Sequence, residues 1–215
     1  MAAFDEYAEQ YDAWYDTPKG QAILQIELSC IRPLLERFPR PYLEIGVGTG
    51  RFAQALALDS GIDPSTAASQ MAGRRGVDVK PGIAEAIPFG DGTFGGVLMT
   101  FTLCFVTDAV GALAEIHRVL APGGGLVVGL LPRNTPWADS YARRRAEGHA
   151  LYRSAHFYSV AEVEALLEGA GFRVVARRST LFQPPGQPEY GPEEAVEGFA
   201  DMAGFAGVAA VRAAG

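Results

Sequence analysis

At 215 residues, with 48% hydrophobic and 20% charged side chains, the chain has the make-up of one globular domain long enough to bury a core. A formal net charge of -7 excludes a general nucleic-acid binder, which needs a basic face for phosphate contacts. Cys30 and Cys104 stand alone without a CxxC, so neither a disulfide framework nor a zinc site is expected.

From about Phe4 to Phe38 apolar residues recur at helical period, broken at Thr17–Gly20 and stopped before Pro39 and Pro41. Strand and helix patterns then alternate. Strands are expected at Tyr42–Gly46, Leu58–Asp63, Val77–Gly82, Gly96–Phe101 and Gly125–Leu131, and helices at Arg51–Leu56, Ser65–Arg75, Asp108–Leu120 and Ser159–Ala170. This rhythm predicts an α/β fold, a parallel sheet with helices on both faces. "LAPGGG" (Leu120–Gly125) ends one helix and "GAGF" (Gly169–Phe172) another, the latter leading into a strand at Arg173–Ser179. The proline-rich Phe182–Glu194 reads as a surface connection. Phe205–Arg212 reads as a last strand, returning antiparallel. The acidic start "MAAFDEYAEQYD" lacks the apolar run of a signal peptide. "LVVGLL" (Leu126–Leu131) is too short to span a bilayer. A cytoplasmic protein without membrane insertion is the expectation, and a homodimer is left open.

The stretch "YLEIGVGTGRF" (Tyr42–Phe52) places Gly46, Gly48 and Gly50 at every second position after the first sheet strand. In open α/β sheets ligands sit outside the carboxyl ends of the strands, so the loop is well placed. The dinucleotide fingerprint G-x-G-x-x-G would need a glycine where Arg51 stands. The loop is the weaker match to a pyrophosphate cradle. The next strand ends in "GIDPS", where the Asp63 carboxylate could bond both hydroxyls of a ribose or cap the following helix. A third strand ends in "GIAEAIPF" (Gly82–Phe89).

"LEIGVGTG", "GIDPS", "GIAEAIPF" and "EIHRVLAPGGGLVVG", in that order and spacing, resemble class I S-adenosylmethionine-dependent methyltransferases, in the small-molecule branch that includes ubiquinone/menaquinone-type enzymes. The resemblance covers about Phe38 to Leu131. It implies a Rossmann-like sheet of seven strands, mostly parallel, the last antiparallel. It implies S-adenosylmethionine as the methyl donor, no metal, and a small-molecule acceptor. Glu44 and the loop Gly46, Val47, Gly48 and Gly50 would meet the methionine part, with Tyr15 in a helical lid above. Asp63, followed by Pro64 and Ser65, would bind the ribose. Ala84 and Glu85 would lie along the adenine, and Thr100, Phe101 and Thr102 beneath the sulfonium. On this reading residues 1–38 form the lid, 39–131 the donor-binding core, 132–158 a substrate-side insert and 159–215 a closing helix and strands. The family often carries an acid where Ile83 stands and an aspartate where Gly95 stands. The interval from Gly50 to Asp63 is short, so the helix between must be truncated.

His149, Tyr152, His156 and Tyr158, in the insert, are the candidates for a general base, each also readable as structural or pocket-lining. His117 reads as structural, within a helix with Ile116, Val119 and Leu120. Arg143–Arg145 reads as a solvated helix face, or else as a fork for a substrate anion. Cys104 reads as a small buried hydrophobe that could line the substrate pocket. Tyr11, Trp14 and Tyr15 read as lid or as core. The absence of [DN]PP[YF] after the Gly96–Phe101 strand speaks against methylation of nucleobase amines. Two other classes stay open: an NAD(P)-dependent dehydrogenase, and a non-catalytic S-adenosylmethionine-binding protein.

Overall fold

The computed structural model describes residues 2–148 and 152–213; the candidate His149 lies outside them. Two helices come first, α1 (Ala2–Tyr15) and α2 (Pro18–Leu35). Thr17 starts α2 by accepting the Gly20 N–H on its hydroxyl at 3.0 Å, with Pro18 in the first turn. There follow β1 (Tyr42–Ile45), α3 (Arg51–Leu56), β2 (Ser60–Asp63), α4 (Thr66–Arg74), β3 (Asp78–Pro81) and β4 (Phe94–Thr100). After a short 3-10 turn come α5 (Ala109–Val119), β5 (Leu120–Leu130), α6 (Pro136–Ala146), α7 (Val160–Gly169), β6 (Phe172–Thr180), β7 (Val196–Glu197) and β8 (Phe205–Arg212). Ser65, Asp108, Thr135 and Ser159 each accept a first-turn N–H of the helix that follows, and Ser159 closes a capping box with Glu162.

The strands form one sheet in the order β3-β2-β1-β4-β5-β8-β6-β7. Strands β3, β2, β1, β4 and β5 are parallel neighbours, and β8 runs antiparallel between β5 and β6. This is the Rossmann-like arrangement of seven strands that the resemblance implies, with one addition. The two-residue β7 pairs antiparallel with β6 on the outer edge, too short to carry any periodicity. Helix α3 is six residues long, as the short Gly50–Asp63 interval demands. Strand β5 begins five residues earlier than expected: Leu120 already pairs with Phe94, and the register shifts before Gly96 meets Gly125.

Two cores flank the sheet. Leu98 and Val127 join Ile31, Leu34 and Phe205 on the α2 face. Val97, Met99 and Val128 join Leu113, Ile116 and Val163 beneath α5 and α7 on the other. Successive side chains of β4 and β5 thus alternate between faces, as the pleat requires. Gly95 has a packing reason: a Cβ there would lie 2.1 Å from the Pro39 carbonyl oxygen. The chain entering β1 has taken the space in which the family often keeps an aspartate side chain.

Candidate active site

Strand β1 lies between β2 and β4, so the connections leaving β1 and β4 diverge over opposite faces and open a crevice at their carboxyl ends. The loop after β1 is anchored by the N–H groups of Gly46 and Val47, which both donate to the Ile62 carbonyl. Its three glycines all have positive φ (69°, 53° and 85°) but answer to different neighbours. A Cβ on Gly46 would lie 2.3 Å from Thr102 Oγ1, and one on Gly50 would lie 2.9 Å from the Ala72 backbone in α4. A Cβ on Gly48 would meet nothing within 4 Å. Only Gly48 turns its bare side toward open space.

That space is a pocket of about 320 Å³ lined by Tyr11, Tyr15, Glu44, Gly46, Val47, Gly48, Thr49, Arg51, Phe52, Thr100 and Phe101. Helix α1 forms one wall, where the hydroxyls of Tyr11 and Tyr15 hydrogen-bond each other at 3.0 Å. On the floor, Glu44 is 2% exposed. Its Oε2 has no hydrogen-bond partner among the described residues, and neither has Thr100 Oγ1. Burial, then the nearby Asp63 charge, holds the Glu44 carboxyl well above the ordinary range. Phe101 closes the floor at φ 56°, a left-handed backbone that a bulky residue adopts only under constraint from its surroundings.

Asp63, at the end of β2, accepts the Gly48 N–H on Oδ2 and the Ser65 N–H on Oδ1, each at 2.8 Å. It therefore ties the glycine loop to the start of α4. Burial raises its carboxyl, and those two N–H groups work against the rise. Pro64 and Ser65 follow; the Ser65 hydroxyl donates to Asp5 of α1 at 2.6 Å.

Seven of the residues assigned to the donor from the sequence meet at the pocket, Tyr15, Glu44, Gly46, Val47, Gly48, Thr100 and Phe101, and Tyr11 joins them. Gly50 and Thr102 brace the loop instead. Ala84 is buried in the core of the opposite face. Glu85 spends Oε1 on the N–H groups of Thr107 and Asp108, before α5.

In the insert, His156 is exposed, its ring lies 4.4 Å from that of Tyr158, and its backbone N–H donates to the Cys104 carbonyl. Tyr152 meets Tyr141 edge-on at 4.9 Å. Cys104 donates to the Phe101 carbonyl, and burial pushes its thiol up to about 12. His117 packs against Phe172, and burial followed by the Arg212 charge lowers its pKa. Among the described residues no group of three or more His, Cys, Asp or Glu is placed to hold a metal, and no helix is long and apolar enough to cross a membrane.

The sequence reading missed the fastening of α1. Asp12 accepts from Arg51 Nε and Nη2 at 2.7 and 2.9 Å and from Arg75 Nη2 at 2.8 Å, while Asp16 accepts from Arg51 Nη1. Burial opposes ionisation of Asp12, but the bonds to Arg51, Thr49 and Arg75 outweigh it and hold the carboxyl below its usual value. The i, i+4 spacing of Asp12 and Asp16 is visible in the sequence. Their partners lie more than thirty positions away, where no local pattern reaches.

A family model described as "Methyltransferase domain" matches residues 43–128. An uncharacterised protein of Mycobacterium tuberculosis is 55% identical over 204 residues, covering 95% of this chain and 72% of that protein. Demethylmenaquinone methyltransferase of Thermus thermophilus is 32% identical over 137 residues, 58% of this chain and 62% of that one. Among solved structures, a SAM-dependent methyltransferase of Thermotoga maritima, a possible histamine N-methyltransferase, is 33% identical with a TM-score of 0.88, each chain covered to 98%. With that overlap of sequence and fold along the whole chain, the protein belongs to the class I S-adenosylmethionine-dependent methyltransferases and is an enzyme of that class.

Proposed function

We propose that the enzyme methylates a small molecule by in-line transfer, binding the donor in the crevice between the β1 and β4 loops. The observation that carries this reading is the pairing of an open cradle with orphaned polar atoms. Gly48 faces unfilled space, and beside it Glu44 Oε2 and Thr100 Oγ1 await partners. The residues present fit the donor. Glu44 would take its ammonium, the loop Gly46–Gly50 its aminoacyl backbone, and Asp63 its ribose hydroxyls with the lone pairs left over from Gly48 and Ser65. Thr100 and Phe101, on the pocket floor, would underlie the sulfur.

The donor supplies a methyl on a sulfonium, whose leaving group needs no further activation. The work left to the protein is alignment and exclusion of water. Tyr11 and Tyr15 close the pocket from above, and the Asp12–Arg51–Arg75 bonds hold that roof against the loop. We read residues 1–38 as the lid, 39–131 as the donor core and 132–158 as the acceptor side. A base is required only for an acceptor that keeps its proton until attack.

The test is a thermal shift. A ligand that binds only the native state adds about 2.7 kcal/mol at one hundred times its dissociation constant. For a chain of this size that is a melting shift of roughly 5–10 °C. S-adenosylhomocysteine should produce it with or without EDTA, and NADH should not. A shift with NADH alone would overturn the donor assignment.

A further inference from the structure

Glu27 of α2 takes no part in the donor site described above. It is 4% exposed, and its Oε2 has no hydrogen-bond partner among the described residues. A buried carboxyl kept for structure alone is ordinarily paired, because leaving it unpaired costs stability. Burial is the one influence on its proton, and it holds the carboxyl well above the ordinary range. Arg144 lies on the Tyr141 ring at 5.3 Å. Arg178 donates from Nη2 to the Ala195 carbonyl while its Nε stays buried without a partner among the described residues, and neither cation figures among the influences on Glu27.

Its place in the fold is informative. Glu44 and Thr100 alternate with Leu43, Ile45 and Met99, which belong to the core under α5 and α7. By the pleat, both therefore point to the α2 face, the face on which Ile23, Ile31 and Leu34 of α2 pack. Three orphaned atoms, Glu27 Oε2, Glu44 Oε2 and Thr100 Oγ1, thus share one side of the sheet. Tyrosines stand within electrostatic reach of these acids. The charges of Glu27 and Glu44 both act on the Tyr11 phenol, and that of Glu27 also acts on Tyr15 and Tyr141. Trp14 meets Tyr15 edge-on at 4.9 Å, and Tyr152 does the same to Tyr141.

We propose that Glu27 is the acceptor-binding group of this enzyme, taking the cationic nitrogen of a small amine among the rings of Tyr11, Tyr15 and Tyr141. The proposal rests on the methyltransferase reading above. A cation suits this site on two counts. It would give the buried carboxylate the partner it lacks, and electron-rich ring faces attract it. A neutral acceptor would leave the carboxyl protonated and give it no charge partner, and an anion would find no cation beside it.

The experiment uses the full chain saturated with S-adenosylhomocysteine and three probes of similar shape: phenethylamine, 2-phenylethanol and phenylacetate. Calorimetry should show the amine binding at least about tenfold more tightly than the alcohol, with no detectable binding of the acid. Glu27→Gln should bring the amine down to the level of the alcohol and leave S-adenosylhomocysteine affinity within about twofold. Glu27→Gln and Glu27→Leu should melt no lower than the native chain, since each removes an unpaired buried acid. The proposal is overturned if the alcohol or the acid binds as tightly as the amine, if the amine does not bind, or if Glu27→Gln leaves its affinity unchanged. Variants that melt markedly lower would assign Glu27 to the core and also overturn it. S-adenosylhomocysteine failing to bind the native chain would overturn the methyltransferase reading itself, a result separable from loss of amine preference alone.

Discussion

Replacing Gly48 by alanine separates a ligand-facing glycine from a structural one. The residue sits at φ 53°, and a Cβ there touches nothing in the protein. The cost to folding is then the left-handed conformation alone, about 1–2 kcal/mol for a non-glycine residue. At about 2–4 °C per kcal/mol for a chain of this size, the melting temperature should fall by roughly 2–8 °C. Donor binding should suffer separately, because the new methyl stands where the ligand must approach. Inserting a methyl into a packed site costs about 1–3 kcal/mol, or roughly five- to 150-fold in affinity. Gly50→Ala provides the contrast: its Cβ would lie 2.9 Å from the Ala72 backbone, so folding should fail first. The assay is calorimetric titration of S-adenosylhomocysteine into the folded Gly48→Ala chain, with melting curves for both variants. A folded Gly48→Ala protein with native affinity would refute the reasoning and reduce the loop to a turn.

Asp63→Asn should weaken donor binding by a decade or more and lower stability by about 1–3 kcal/mol, because one of the Gly48 and Ser65 N–H groups loses its acceptor; unchanged titration would remove Asp63 from the site. Asp12→Asn should cost about 1–3 kcal/mol and speed proteolysis within residues 2–15, since its carboxylate joins α1 to Arg51 and Arg75; an unaltered digestion pattern would show that the roof is held by other contacts. Glu27 and Glu44 have native pKa values raised above 4.5, so the stability they contribute is present below that value and lost as pH rises through the raised ones. Denaturation midpoints should decline with pH in that window, and Glu27→Gln should flatten the decline. Asp12, lowered below 3.8, has the opposite sign: its contribution is present above 3.8 and fades as pH falls through the native value. His156→Ala should change donor affinity by less than about twofold, since the side chain is exposed on Tyr158; a larger loss would place it in the donor pocket.

The elements that could be read from the sequence are those whose signals are local. Alternating apolar runs, cap residues such as Ser65, Asp108 and Ser159, and the glycine spacing after Tyr42–Ile45 each act within a few positions. They were enough for the α/β order, the short helix after Gly50 and the placing of a glycine loop at the end of the first strand. Helix α6 went unassigned within the insert: only Arg143–Arg145 read as a helix face, and no apolar stripe marked where the helix begins or ends. What each glycine is for could not be read locally. Gly46 and Gly50 are held by Thr102 and Ala72, and Gly95 by Pro39, all neighbours brought in by the chain's path. The same is true of the acids. Glu27 stands in one i, i+4 row with Ile23 and Ile31, a sign that it faces the core. That it is buried there with one carboxyl oxygen left unpartnered among the described residues is decided by helices closing over one face of the sheet. Sequence period determines which side of an element is buried; only tertiary packing determines what that side is buried against, because contact energies depend on distance in space and not along the chain.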